Sequence, residues 1–156
     1  MKLLLLFTLL PFIIMAQTNP TDSLKDQPCS GKNISLEQFQ WENRILVLFA
    51  PHSEHKSYQS QMDKFSSLED ELRDRDLVVI SIFERECSTL DGEILSDSSS
   101  HSIREKLSQQ ESSYSIFLIG KDGGVKLKQD EVLEPAALFS VIDRMPMRQR
   151  EMRERG

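Results

Sequence analysis

Ile45-Leu46-Val47-Leu48-Phe49-Ala50 runs directly into Pro51-His52-Ser53-Glu54-His55. Six apolar residues with no polar alternation predict a strand buried on both faces, at the centre of a sheet covered by helices. The polar loop then lies at the rim of that sheet, where open α/β sheets bind their ligands. Downstream, Tyr58, Met62, Phe65, Leu68 and Leu72 recur at helical spacing. They predict one helix, with Ser53 as its N-cap and Asp74-Arg75-Asp76 as its end. Leu77-Val78-Val79-Ile80-Ser81-Ile82-Phe83 predicts a second buried strand. The sequence strand, helix, strand is a βαβ unit, which implies a parallel pair and a right-handed crossover.

Working outward, Glu84 to Ser100 is acidic and serine-rich and predicts a mobile insertion. Ser102 and Glu105 have the spacing of a capping box, which starts a short helix through about Gln109. Ser115-Ile116-Phe117-Leu118-Ile119 predicts a third strand, and Gly120-Lys121-Asp122-Gly123-Gly124 a tight hairpin. Val125-Lys126-Leu127-Lys128 alternates as an edge strand does. Pro135 suits a first helical turn, and Leu133, Ala137, Leu138, Val141, Ile142 and Met145 form the stripe of a final helix. Trp41 is expected to pack beside the first strand. The order βαβ, helix, ββα is that of the thioredoxin-like fold: an α/β domain with a four-stranded mixed sheet and helices on both faces.

The 156 residues leave room for one domain. Residues 1–16 read as a signal peptide: Lys2 is the only charge, Leu3 to Met15 is almost wholly apolar, and Ala16 is a small residue suited to cleavage. That run is short for a membrane-spanning helix, although a retained anchor is the alternative. Residues 17–34 read as a flexible leader, 35–147 as the domain and 148–156 as a basic tail. The expected location is therefore exported, periplasmic or secreted, with no membrane contact beyond the cleaved signal. A net charge of -6 argues against nucleic acid, which needs a basic face. Export also bears on Cys29 and Cys87, the only two cysteines, since disulfides persist in oxidising compartments. A bridge and two separate thiols both stay open at this point.

In thioredoxins and peroxiredoxins the reactive cysteine lies in the loop or first helical turn after the central strand, where the helix N-terminus lowers its pKa. Here Pro51 to Tyr58 contains no cysteine, and Ser112-Ser113-Tyr114-Ser115 lacks the proline that usually enters the third strand. Cys87 as a displaced nucleophile is disfavoured by Glu84, Glu86 and Asp91, because negative neighbours raise a thiol pKa. His52, Glu54, His55 and His101 have no tight metal-ligand spacing and read as surface residues. No serine sits in a Gly-x-Ser-x-Gly elbow, and Gly123-Gly124 lacks the Lys-Ser/Thr of a phosphate loop. No cofactor is implied, and the balance leans away from an enzyme. Arg144 to Arg155 carries five arginines against two glutamates. Such an end suits either an anionic partner or the negative end of the last helix.

Several strings together resemble a known group: Phe39-Gln40-Trp41-Glu42-Asn43-Arg44, Phe49-Ala50-Pro51, Arg75-Asp76-Leu77, Leu118 to Lys126, and Ile142 to Gln149. The most specific are Ile119-Gly120-Lys121-Asp122-Gly123-Gly124 and Met145-Pro146-Met147-Arg148-Gln149. The chain resembles the bacterial domain of unknown function 4174 family, itself similar to domains of animal secreted matrix proteins of the sushi-repeat-containing and coiled-coil-domain-containing kinds. The resemblance implies an exported thioredoxin-like domain and offers no catalytic residue to carry over. In that fold the third strand is antiparallel to the first, so the hairpin, the starts of both parallel strands and the end of the last helix converge. Arg44, Arg75, Asp76, Lys121, Asp122 and Arg148 are thereby expected at the pole opposite the usual active site. Two roles fit them: docking a protein or anionic partner, or an ion-pair network that fixes the turns.

Overall fold

The computed structural model describes residues 28–110 and 113–155. The expected signal peptide and most of the expected leader lie outside the described residues. β1, Arg44–Ala50, is buried along its whole length, as its apolar run requires. Each fully buried large apolar side chain contributes about 1.5–3 kcal/mol, which makes this strand the organising element. β2, Leu77–Phe83, pairs with it in parallel from Arg44↔Leu77 to Ala50↔Phe83. β5, Ser115–Ile119, runs antiparallel on its other side from Ile45↔Ile119 to Phe49↔Ser115. β6, Val125–Gln129, closes that edge through a hairpin in which Gly123 takes φ +79°.

The sheet has six strands in the order β4-β3-β2-β1-β5-β6, not the expected four. The extra pair is β3, Thr89–Leu90, and β4, Glu93–Ile94, cut from the stretch expected to be a mobile insertion. Asp91 and Gly92, both at positive φ, turn one into the other. Asp91 also ties the turn to β2: its backbone N–H donates to the Val79 carbonyl, and its Oδ1 accepts from the Val79 N–H, each at 2.8 Å. The serine run then becomes α3, Asp97–Lys106, which starts five residues before the expected capping box. Ser96 is its N-cap, and Ser99 is buried because its Oγ accepts the Ile34 N–H at 2.8 Å.

One sheet face packs Val47, Phe49, Ile82 and Phe117 against Leu36, Leu95 and Ile103. The other packs Leu46, Leu48, Ile116 and Leu118 against Phe65, Leu138 and Ile142. That second face is covered by α1, Lys56–Phe65, α2, Glu69–Asp74, and α4, Pro135–Asp143. The helix expected as one element from Tyr58 to Leu72 breaks at Ser66 to Leu68, and His55 rather than Ser53 occupies its N-cap position. Both halves still keep their apolar residues on the sheet, which is why the spacing read as continuous. Leu133 is buried ahead of α4 rather than in it.

Residues 28–34, assigned to the flexible leader, are bound to the domain. Lys32 bridges to Leu95, and a side chain on Gly31 would collide with the Ile94 carbonyl. Cys29 and Cys87 form a disulfide, which closes the choice the sequence left open. At the other end, residues 146–155 form α5, Pro146–Arg155, where a basic tail was expected from 148. Trp41, expected against β1, is instead 62% exposed and held at φ +71°.

Candidate functional site

All six of the expected polar residues lie at the pole where β1 and β2 begin and β5 ends, and five of them join one ion-pair network. Arg44 is the first residue of β1 and only 1% exposed. Its Nη1 donates to the Arg75 carbonyl at 2.8 Å, and its two Nη atoms clasp Glu151 of α5 at 3.1 and 3.2 Å. Lys121, just after β5, places its Nζ 2.7 Å from Asp76 and 2.9 Å from the same Glu151. Asp76 sits at φ +47° between α2 and β2, and its carbonyl accepts the Arg44 N–H at 2.8 Å.

Arg75 is the second hub. Its Nε and Nη2 donate to Asp143 of α4 at 3.0 and 2.8 Å, and its guanidinium lies 4.2 Å from the centre of the Phe139 ring. Arg148 is the third and is 3% exposed. It spends Nη1 on the Asp74 carbonyl at 2.7 Å, Nη2 on the Asp74 carboxylate, and Nε on Asp143 at 3.3 Å. Arg155 adds contacts to Asp74 at 2.8 Å (carbonyl) and 3.2 Å (carboxylate). Sequence reasoning missed Asp74, Asp143, Glu151 and Arg155 as members. Only the i,i+3 spacing of Arg148 and Glu151 hinted at one such contact.

Asp122 is the sixth expected residue and stands apart from that network. It accepts from Lys126 Nζ at 2.6 Å and from the Gly124 N–H at 3.1 Å, which fixes the hairpin. Together with Arg44, Gly120, Lys121, Lys126 and Met145-Pro146-Met147 it lines a recess of about 140 Å³ between the hairpin and the start of α5.

Three carboxyls of the network titrate low. The Arg148 hydrogen bond, then its charge, holds Asp74 below its ordinary value. Burial pushes Asp76 and Glu151 upward, but Lys121 outweighs it at Asp76, and Arg44 with Lys121 outweighs it at Glu151, so both end lowered. An acid whose folded pKa lies below its unfolded one stabilises the fold above the unfolded value and loses that contribution as pH falls through the folded one. The ordinary values are 3.8 for Asp and 4.5 for Glu, so the loss begins below about pH 4.5. Thermal melts followed from neutral pH downward should show the midpoint falling through this acid window, and a Glu151→Gln variant should show a shallower fall.

At the opposite pole, the loop after β1 carries His52, Ser53, Glu54 and His55. Ser53 is held by Glu86, through its backbone N–H and through its Oγ at 3.1 Å. His55 stacks on Tyr114 with ring centres 5.9 Å apart, and His52 meets His55 edge-on at 6.2 Å. Burial pushes the Tyr114 hydroxyl pKa upward. His101 is not brought to this loop; it pairs with Glu105 along α3. Among the described residues no group of three or more His, Cys, Asp or Glu is placed to hold a metal ion. No helix among them is long and apolar enough to cross a membrane.

A central β1 between a parallel β2 and an antiparallel β5, with helices on both faces, makes this a thioredoxin-like domain. Solved structures agree: Plasmodium yoelii Prx1a superposes with a TM-score of 0.55 at 15% identity, over 75% of this chain and 81% of that one. The reduced 2-Cys peroxiredoxin of Plasmodium vivax does so at 0.53 and 15%, over 79% and 86%. The chain belongs to the domain of unknown function DUF4174 family, which matches residues 35–151. Among curated proteins it is 27% identical over 144 residues to coiled-coil domain-containing protein 80 of Danio rerio, covering 82% of this chain and 16% of that protein. It is 24% identical over 150 residues to the human sushi repeat-containing protein SRPX, covering 88% and 32%. The chain thus spans at most a third of the length of these relatives.

Proposed function

We propose that this protein is an exported, non-catalytic binding module that uses the thioredoxin-like fold as a scaffold and presents the pole around Arg44, Lys121 and the hairpin to a protein or anionic partner. One observation carries the reading: the loop that would hold a reactive thiol has none, and both cysteines of the chain are joined to each other. Without a thiolate there is no nucleophile for peroxide or for a substrate disulfide. Export fits an apolar N-terminus followed by a disulfide-bearing domain. It also fits the likeness to SRPX and coiled-coil domain-containing protein 80.

A second reading, an atypical oxidoreductase working through Cys87, has one observation in its favour. Glu86, next to Cys87, holds Ser53 of the β1–α1 loop, so the bridge lies close in the chain to the fold's usual reactive end. Assays of peroxide consumption and of disulfide reduction with a dithiol donor separate the two. The binding module gives no turnover above the buffer blank. Turnover that disappears in Cys87→Ser would establish the oxidoreductase instead.

A further inference from the structure

We propose that the recess between the leader and the first half of α3 binds a neutral, hydroxyl-rich ligand, a sugar. This is a second place on the molecule and goes beyond the binding pole around Arg44. Asn33, Ser35 and Gln38 form one side of the open recess, and Ser98, Ser99 and Ser102 form the other. It measures about 420 Å³, toward the lower end of the about 300–1,000 Å³ typical of small-molecule sites, which is the scale of a small saccharide.

Charged residues make up 28% of the chain, yet among the described residues no charged side chain lines the recess. The apolar residue in its lining, Ile34, is itself buried. Carboxamides and hydroxyls therefore make up the reachable surface. Each of these groups can both donate and accept, and the hydroxyls of a sugar offer the same pairing in return. An anion would find no cation there, and a hydrocarbon no apolar wall.

Part of this polar set is spent on holding the site in shape. Asn33 Oδ1 accepts from the hydroxyls of Ser99 at 3.0 Å, Ser96 at 3.2 Å and Ser98 at 3.4 Å, which fixes the orientation of its amide. Ser99 also accepts the Ile34 N–H, and Ser35 is engaged with Glu37. Three groups have no partner among the described residues: the Asn33 amide nitrogen, the Gln38 carboxamide and the Ser102 hydroxyl. All three belong to exposed residues, so a ligand reaches them without displacing a side chain. An amide whose orientation is already fixed costs little to order on binding. Cys29, just ahead of this wall, ties it to Cys87, which gives the bridge a use that needs no redox chemistry.

The test is to titrate the folded, disulfide-bonded protein with glucose, galactose, mannose and N-acetylglucosamine. Glucuronate serves as the charged counterpart and N-acetyl-leucinamide as a neutral, peptide-like probe. The backbone amide NMR shifts of Asn33 to Gln38 and of Ser98 to Ser102, with the side-chain amide signals of Asn33 and Gln38, are the readouts. Saturable shifts confined to these residues are expected with at least one neutral sugar. Gln38→Ala and Ser102→Ala should each weaken its binding about three- to tenfold, the effect of one lost hydrogen bond. Ser102→Arg, which fills the recess from an exposed helix position, should abolish binding, whereas Lys126→Gln at the Arg44 pole should leave it unchanged. A trisaccharide that binds more tightly than its monomer would make a polysaccharide chain the source, and equal affinity would make it a free sugar. No saturable shift with any neutral sugar, glucuronate binding more tightly than glucose, an amide that binds as well as the sugars, or binding untouched by Ser102→Arg would each overturn the proposal. Those results would leave the binding module standing, because only turnover in the redox assays removes it.

Discussion

Replacing Arg44 by alanine is expected to cost about 3–5 kcal/mol of folding stability, the usual effect of removing one partner of a buried ion pair. In a domain of this size that lowers the melting temperature by about 10–20 °C. Arg44 is 1% exposed and serves Glu151 and the Arg75 carbonyl together. Its loss leaves Glu151 with Lys121 at 2.9 Å and Arg148 at 3.9 Å, and leaves the Arg75 carbonyl without that donor. The loss comes from the uncompensated partner rather than from the pair's own worth. Removing both members, as in Arg44→Met with Glu151→Met, is therefore expected to recover most of it, since Lys121 keeps Asp76. Denaturant melts of the single and double variants check this. A double variant as unstable as the single one would show that packing of the Arg44 stem, not its charge, dominates.

The second large effect lies at the other end of the molecule. Replacing Cys29 and Cys87 by serine is expected to cost about 4 kcal/mol on the chain-entropy account, because the bridge spans a separation of 58 residues. The same change should release residues 28–34 first. Apart from the bridge they are held by hydrogen bonds to the β4–α3 segment, among them the Lys32 N–H to Ile94 at 2.8 Å, the Ser96 N–H to the Lys32 carbonyl at 3.0 Å, the Ile34 N–H to Ser99, the Ser99 Oγ to Asn33 at 3.0 Å and the Cys29 N–H to Asp97 at 3.0 Å. Hydrogen exchange should therefore show Lys32 and Ile34 losing protection in the bridge variant while the Arg44 network stays closed. Arg44→Ala should show the reverse, with α5 opening before the leader.

The two buried strands were legible because an unbroken apolar run has few other readings, and the pairing of β1 with β2 and β5 followed from their order. The β3–β4 hairpin was not. Asp91-Gly92 is a turn signal, but two-residue strands leave no alternation to count, and the acidic, serine-rich composition around them masked Leu90 and Leu95, both buried. The serines misled as well: Ser96 caps a helix through the Ser99 N–H three residues on, a local signal lost in the serine run, and Ser99 holds the leader through Ile34, a partner more than sixty residues away in sequence. At the candidate site, topology alone brought Arg44, Arg75, Asp76, Lys121, Asp122 and Arg148 to one pole. It did not reveal that Arg148 is buried and fully engaged, since residues 148–156 read as a basic tail rather than as a helix packed on the domain.

The claim that the cysteines are structural, on which the binding reading depends, is tested most directly by a glutathione redox titration. Intact mass after alkylation follows Cys29 and Cys87 through it. A structural bridge in a secreted protein resists reduction to potentials below about -300 mV. The expected result is that no thiol is alkylated across the range of glutathione buffers until the protein is unfolded. A bridge that opens and closes near the -180 to -230 mV poise of roughly the range used by redox catalysts, or a Cys87 alkylated rapidly in the native protein, would contradict the account and make this domain an oxidoreductase.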